Sequence, residues 1–165
     1  MQNADLENDI LRRKMLDTLG IRKRRKHRRM AKSGDKIYST AEGMPDFDKL
    51  IREGFPVISG YSLKNTLKLT YLELAKVLGV SSRTLQRKIK LHKKLSIVES
   101  DRLYRLVRLF AIASQVLEND RAASEWMHKP QTGLGGRVPF EMLQTEAGAR
   151  EVEDLLGRIE YGVIS

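Results

Sequence analysis

One stretch of this chain, Leu69–Lys90 (LTYLELAKVLGVSSRTLQRKIK), constrains the fold more than any other. Thr70 and Glu73 have the spacing of a capping box, in which each satisfies a free backbone N–H at the start of a helix. Leu74 and Leu78 fall four apart on one face, and Ala75 is small where a second helix would cross closely. Gly79 stops the helix by permitting the left-handed conformation that a tight turn needs. Val80 plugs the corner, and Ser81 caps a second helix. The pattern predicts two short helices joined by a tight turn, a helix-turn-helix.

On the second helix Leu85 and Ile89 point to the core. Arg83, Gln86, Arg87 and Lys90 follow i, i+3, i+4, i+7 spacing, roughly opposite Leu85. An apolar underside with long donors outside is what a DNA-recognition helix requires. Arginine donates bidentately to guanine, glutamine reads adenine, and the short Ser82 can approach a backbone or base closely. Lys88 departs from the pattern, standing where many such helices carry an apolar residue. A purely structural helix pair with a basic outer face is the plain alternative.

Charge favours nucleic acid. The chain of 165 residues carries a net charge of +10, unevenly spread. Residues 1–100 hold 23 Lys/Arg against 11 Asp/Glu, whereas residues 101–165 hold 8 against 10. Such a split predicts one polyanion-binding half and one half with another partner. Ile21–Arg29 (IRKRRKHRR) packs seven Lys/Arg into nine residues, either as an arm along phosphates or as a solubilising tail. Met1–Leu19 reads as a helix through Leu6, Ile10, Leu11 and Met15.

The remaining segments are helical too. Asp46–Glu53 is a short helix stopped by Gly54, and Phe55–Leu67 a further one opened by Pro56; both complete the small DNA-binding domain. Glu99–Leu117 is the longest candidate. Leu103, Leu106, Val107, Phe110, Ala113 and Leu117 form one stripe, and Leu109, Ile112 and Val116 a second. Two apolar sides predict burial against the chain's own domain and against a second subunit, with a wholly intramolecular core helix as the alternative. Trp126 reads as a core anchor. No alternating strand pattern exceeds a few residues, so the fold class is all-α, a helix-turn-helix domain followed by a second helical domain.

The C-terminal third ends in patterned apolar residues where a dispensable tail is the usual finding. Gly133, Gly135 and Gly136 interrupt regular structure, Pro139 suits the first position of a short helix, and Phe140 and Leu143 give that helix its apolar face. Thr145 is the N-cap of the last helix, on which Ala149, Val152, Leu156 and Ile159 recur at helical spacing and Leu155 broadens the stripe. Gly148 and Gly157 lie inside it at about 1 kcal/mol each relative to alanine, so tertiary or partner contacts must hold it.

Leu134–Leu143 (LGGRVPFEML) and Thr145–Ser165 (TEAGAREVEDLLGRIEYGVIS) resemble the C-terminal toxin-binding domain of Xre/ParS-type antitoxins, and the likeness extends upstream to about Gly54. The resemblance implies a RES-domain toxin as partner, itself similar to ADP-ribosyltransferases and acting on NAD. It implies a C-terminal segment that plugs the toxin's active-site cleft, with Arg158, Glu160 and Tyr161 entering or lining it and Leu155, Leu156 and Ile159 packing nearby. It also implies operator binding by the upstream half, hence autorepression by a homodimer.

The domains expected are a basic leader over 1–43, partly disordered or helical, a DNA-binding domain over 44–95 and a toxin-binding and dimerisation domain over 96–165. There is no cysteine, so thiol catalysis and thiolate metal sites are excluded. His27, His92 and His128 lack metal-ligand spacing, and Gly133–Gly136 lacks the GK[ST] ending of a phosphate loop. The acidic run Glu151–Asp154 looks solvated or interfacial. The reading is a non-enzyme with no cofactor and no membrane span, placed in the cytoplasm. A stand-alone regulator and a general nucleic-acid binder are the alternatives. Removing Leu155–Ser165 is expected to abolish neutralisation and leave operator binding intact.

Overall fold

The computed structural model describes residues 2–21 and 46–163. Its elements are α1 (Gln2–Thr18), α2 (Phe47–Glu53), α3 (Val57–Leu67), α4 (Tyr71–Leu78), α5 (Ser82–Lys90), α6 (Ile97–Val116), α7 (Asp120–Met127), a 3-10 turn (Thr132–Leu134), α8 (Pro139–Met142) and α9 (Glu146–Glu160). Among the described residues the only β pairing is two isolated bridges, Pro56 with Lys94 and Gln131 with Arg137. The all-α expectation holds.

Local chemistry sets most helix ends. Thr70 N donates to Glu73 Oε2 at 2.7 Å and Glu73 N to Thr70 Oγ1 at 3.1 Å, closing the anticipated capping box. The backbone bond from Thr70 holds the Glu73 carboxyl below the usual carboxylate range. Gly79 ends α4 at φ 70°, and Asp46, Ser81 and Thr145 cap α2, α5 and α9 with side-chain acceptors. A second capping box, Ser96 with Glu99, starts α6 two residues before the expected Glu99.

α6 is the spine. At 20 residues it is about 30 Å long, and α1, α2, α4, α7 and α9 all pack on it. Its first stripe is buried from Leu103 to Ala113, with Leu117 half-buried, and in its second Leu109 is fully buried and Ile112 and Val116 are half-buried against the chain's own core. The chain's own core thus covers Leu109 fully and Ile112 and Val116 in part.

The leader divides in two. α1 belongs to the body, because Met15, Leu16, Leu19 and Ile21 are buried in the common core while Ile10 stays exposed. Lys14 pairs with Asp120 at the start of α7. The basic run lies outside the described residues from Arg22 onward. Trp126 is half-buried against the core. No helix among the described residues is long and apolar enough to cross a membrane.

Candidate functional site: a basic helix and an exposed helix end

α5 presents the anticipated outward face. Ser81 Oγ accepts from Thr84 N at 3.0 Å, Leu85 is fully buried and Ile89 packs half-buried beneath the helix. Arg83, Gln86, Arg87 and Lys90 are exposed and Ser82 is half-buried. None of the four long side chains is tied to another described residue by a hydrogen bond or ion pair. Among the described residues nothing occupies their donors.

Lys88 explains its own departure from the pattern. Its ammonium bonds Glu99 Oε2 at 2.6 Å, with the two side chains 19% and 10% exposed. The same carboxylate oxygen accepts from Ser96 N at 2.7 Å. Burial alone would raise the Glu99 carboxyl, but the bonds from Lys88 and Ser96 hold it below the usual range. One carboxylate thus fixes both the start of α6 and the seat of α5. The signal was present in sequence only as an anomaly, since nothing local pairs position 88 with position 99.

Arg102 was likewise unmarked in the sequence. Its guanidinium donates to Leu78 O at 2.9 Å, capping the end of α4. It occupies the space a side chain at Gly79 would need, its Nη1 lying 1.6 Å from where a Cβ would stand. Within the next two turns of α6 come two further arginines. Arg105 bonds Asp101 at 2.9 Å and Glu146 at 3.1 Å, and Arg108 bonds Glu153 at 2.5 Å. The row fastens the turn of the helix pair and the start of α9 to one spine.

At the C-terminus the six expected residues separate. Leu156 is fully buried and Leu155 nearly so; both pack on the chain's own core and hold α9 in place, and Leu155 also lines the groove beside that helix. Ile159 is half-buried, Arg158 and Glu160 are exposed, and Tyr161 is 80% exposed. The acidic run is partly used internally, with Glu151 paired to Arg137 and Glu153 to Arg108, while Asp154 stays exposed.

A feature missed in the sequence lies beside this helix end. The 131–137 loop closes on itself, Gln131 N donating to Arg137 O at 3.0 Å. Between that loop and α9 runs a groove of about 210 Å³, floored by Leu155 and Ile159, walled by Thr132 and Gly133, and rimmed by Arg158 and Val163. Arg158 Nη2 reaches Gly133 O at 3.3 Å across it. The glycine cluster signalled a turn, but not what the turn would face. Among the described residues no group of three or more His, Asp or Glu side chains could hold a metal ion.

Comparison with known proteins falls into the same two halves. Residues 46–108 match the family described as the antitoxin Xre-like helix-turn-helix domain, and residues 113–162 the antitoxin Xre/MbcA/ParS C-terminal toxin-binding domain. The chain is 33% identical over 122 residues to a protein of Photorhabdus laumondii named antitoxin Xre, covering 73% of this chain and 82% of that one. It is 37% identical to the antitoxin Xre of Yersinia enterocolitica, over 70% and 78% of the two chains. Similarity to the antitoxin Xre of Pseudomonas putida is 32%, over 68% and 69%. These relatives are named as antitoxins, not as enzymes.

Proposed function

This chain belongs to the Xre antitoxin family, and from that premise we propose that it neutralises a RES-domain, NAD-acting toxin by occluding the active site with its C-terminal segment, and that it represses its own operon in the cytoplasm by binding operator DNA as a homodimer. The observation that carries the reading is a pair of exposed surfaces on one core. At one, Arg83, Gln86, Arg87 and Lys90 stand clear of the body with no internal partner among the described residues. At the other, Arg158, Glu160 and Tyr161 project from the end of a helix whose buried face is anchored by Val152, Leu155 and Leu156.

Each surface suits its ligand. Base edges in the major groove need long, outward donors on a rigid helix, with Ser82 close to the backbone. Arg83, Gln86 and Arg87 read bases in this account, and Lys90 contacts phosphate. A toxin cleft that takes NAD needs side chains able to replace its hydrogen bonds, and Arg158, Glu160 and Tyr161 supply donor, acceptor and ring. A homodimer would match a two-fold symmetric operator, whose half-sites lie about one helical turn apart.

The test is co-expression with the product of the neighbouring reading frame, followed by capture and a growth assay. Tyr161→Ala with Arg158→Ala is expected to lose toxin capture and protection while keeping operator binding. If the wild-type chain captures no toxin yet binds its operator, the stand-alone regulator is the correct reading.

A further inference from the structure

The cations of the two halves are used differently. From Asp101 to Val163 every lysine and arginine bonds a carboxylate or a backbone carbonyl, from Arg102 on Leu78 O to Arg158 on Gly133 O. Around the helix pair this is not so. Besides the outward face of α5, Lys64 on α3 and Lys68 just beyond it bond no carboxylate or carbonyl among the described residues.

Lys64 is held by rings instead. Its ammonium lies 4.8 Å from the centre of the Tyr71 ring and 5.8 Å from that of Tyr61, and the two ring centres are 6.4 Å apart. Tyr61 and Lys64 are half-buried, Lys68 is exposed, and Tyr71 stays 37% exposed on the first turn of α4. A ring face attracts the ammonium's charge but leaves its N–H donors for other partners. Glu73, the carboxylate nearest to Tyr71 in sequence, is itself tied to Thr70 N and Oγ1.

The place of this cluster names its ligand. In a helix-turn-helix the second helix lies in the major groove and the first crosses the sugar–phosphate backbone. Tyr71 opens that first helix, and α3 packs on both helices of the pair. Lysine and tyrosine side chains are among the groups that donate to phosphate oxygens. We propose that Lys64, Lys68 and Tyr71 grip the DNA backbone beside the groove read by α5, as a contact indifferent to sequence, with the two tyrosine rings holding the Lys64 ammonium in position beforehand. A side chain already held loses less freedom on binding. The inference rests on the DNA-binding reading and adds to it the residues that set register on the duplex.

Fluorescence anisotropy on the full chain tests this, with a duplex from upstream of the chain's own reading frame and a random-sequence duplex, over a series of salt concentrations. Lys64→Gln and Lys68→Gln remove one charge each and nearly keep the side-chain length. Each is expected to weaken both duplexes by the same factor and to reduce the slope of log K against log salt by about 1. Tyr71→Phe, which keeps the ring, should weaken both alike with the slope unchanged. Arg121→Ala removes one charge from α7, in the segment matched as toxin-binding, and leaves Glu125 paired with Lys129; it should bind both duplexes as wild type does. Should Lys64→Gln fold poorly, Lys68→Gln decides alone, because that exposed side chain holds nothing among the described residues. Wild-type affinity and slope in the lysine variants overturn the proposal. So does an equal change of slope in Arg121→Ala, which would make the effect one of net charge. A loss confined to the upstream duplex overturns it too, since these residues would then read bases. Failure of the wild-type chain to bind either duplex sinks the DNA-binding reading itself.

Discussion

Removing the Glu99 carboxylate would strand the Lys88 ammonium where it is only 19% exposed, which is why a single atom change there should be felt by the whole domain. Glu99→Ala or Lys88→Ala is expected to lower stability by about 2 kcal/mol, the cost of one unpaired, mostly buried charged group, as read by denaturant unfolding at pH 7. The sign of the pH effect follows from the depressed carboxyl. Stability from a carboxylate whose folded pKa is lowered is present above the ordinary glutamate value of about 4.3 and is lost as pH falls through the folded value. Wild type should therefore lose stability more steeply than Glu99→Gln below that value; parallel acid titrations would remove the ion pair from the account. The exposed arginines of α5 are expected to behave oppositely. Arg83→Ala and Arg87→Ala should leave unfolding within about 0.5 kcal/mol of wild type yet weaken operator binding by about 1–3 kcal/mol each. Equal loss on random DNA, measured by fluorescence anisotropy, would favour the general nucleic-acid binder.

Helix ends were readable because capping is local. Thr70 with Glu73, Gly79, Ser81, Pro139 and Thr145 each act within a few residues of their own position, and each stands where the pattern placed it. The partners of helix faces were not readable, because a stripe states only that something covers it. Leu109, Ile112 and Val116 carry no mark that separates a neighbouring helix from another subunit, and the chain's own core covers them, Ile112 and Val116 in part. Lys88 with Glu99 and Arg102 with Leu78 O join positions 11 and 24 residues apart, a distance over which sequence periodicity is silent. The two glycines of α9 looked equivalent for the same reason. They separate in a stability measurement: Gly148→Ala should destabilise by about 1–3 kcal/mol through its clash with Met142 O, and Gly157→Ala should stabilise by about 1 kcal/mol. Thermal melts that move in the same direction would contradict the packing described.

At the scale of the molecule, α6 makes the helix-turn-helix pair and the C-terminal helix parts of one body. The match to the helix-turn-helix family ends at residue 108 and the match to the toxin-binding family begins at 113, both inside α6. Its three arginines fasten the end of α4, the start of α9 and Glu153 to the same helix. Truncation must respect this. Cutting at Leu155 would take Leu155 and Leu156 out of the core and unfold α9, so the expected separation of functions would be lost in a general destabilisation. Cutting after Glu160 removes, among the described residues, only the exposed Tyr161, Gly162 and Val163. Operator binding and toxin capture by the chain lacking 161–165, measured on one preparation, therefore test the two-surface account most directly. Operator affinity equal to the full chain, with capture of the RES toxin and protection of growth both lost, is the predicted result. Full capture and protection by the shortened chain would contradict it.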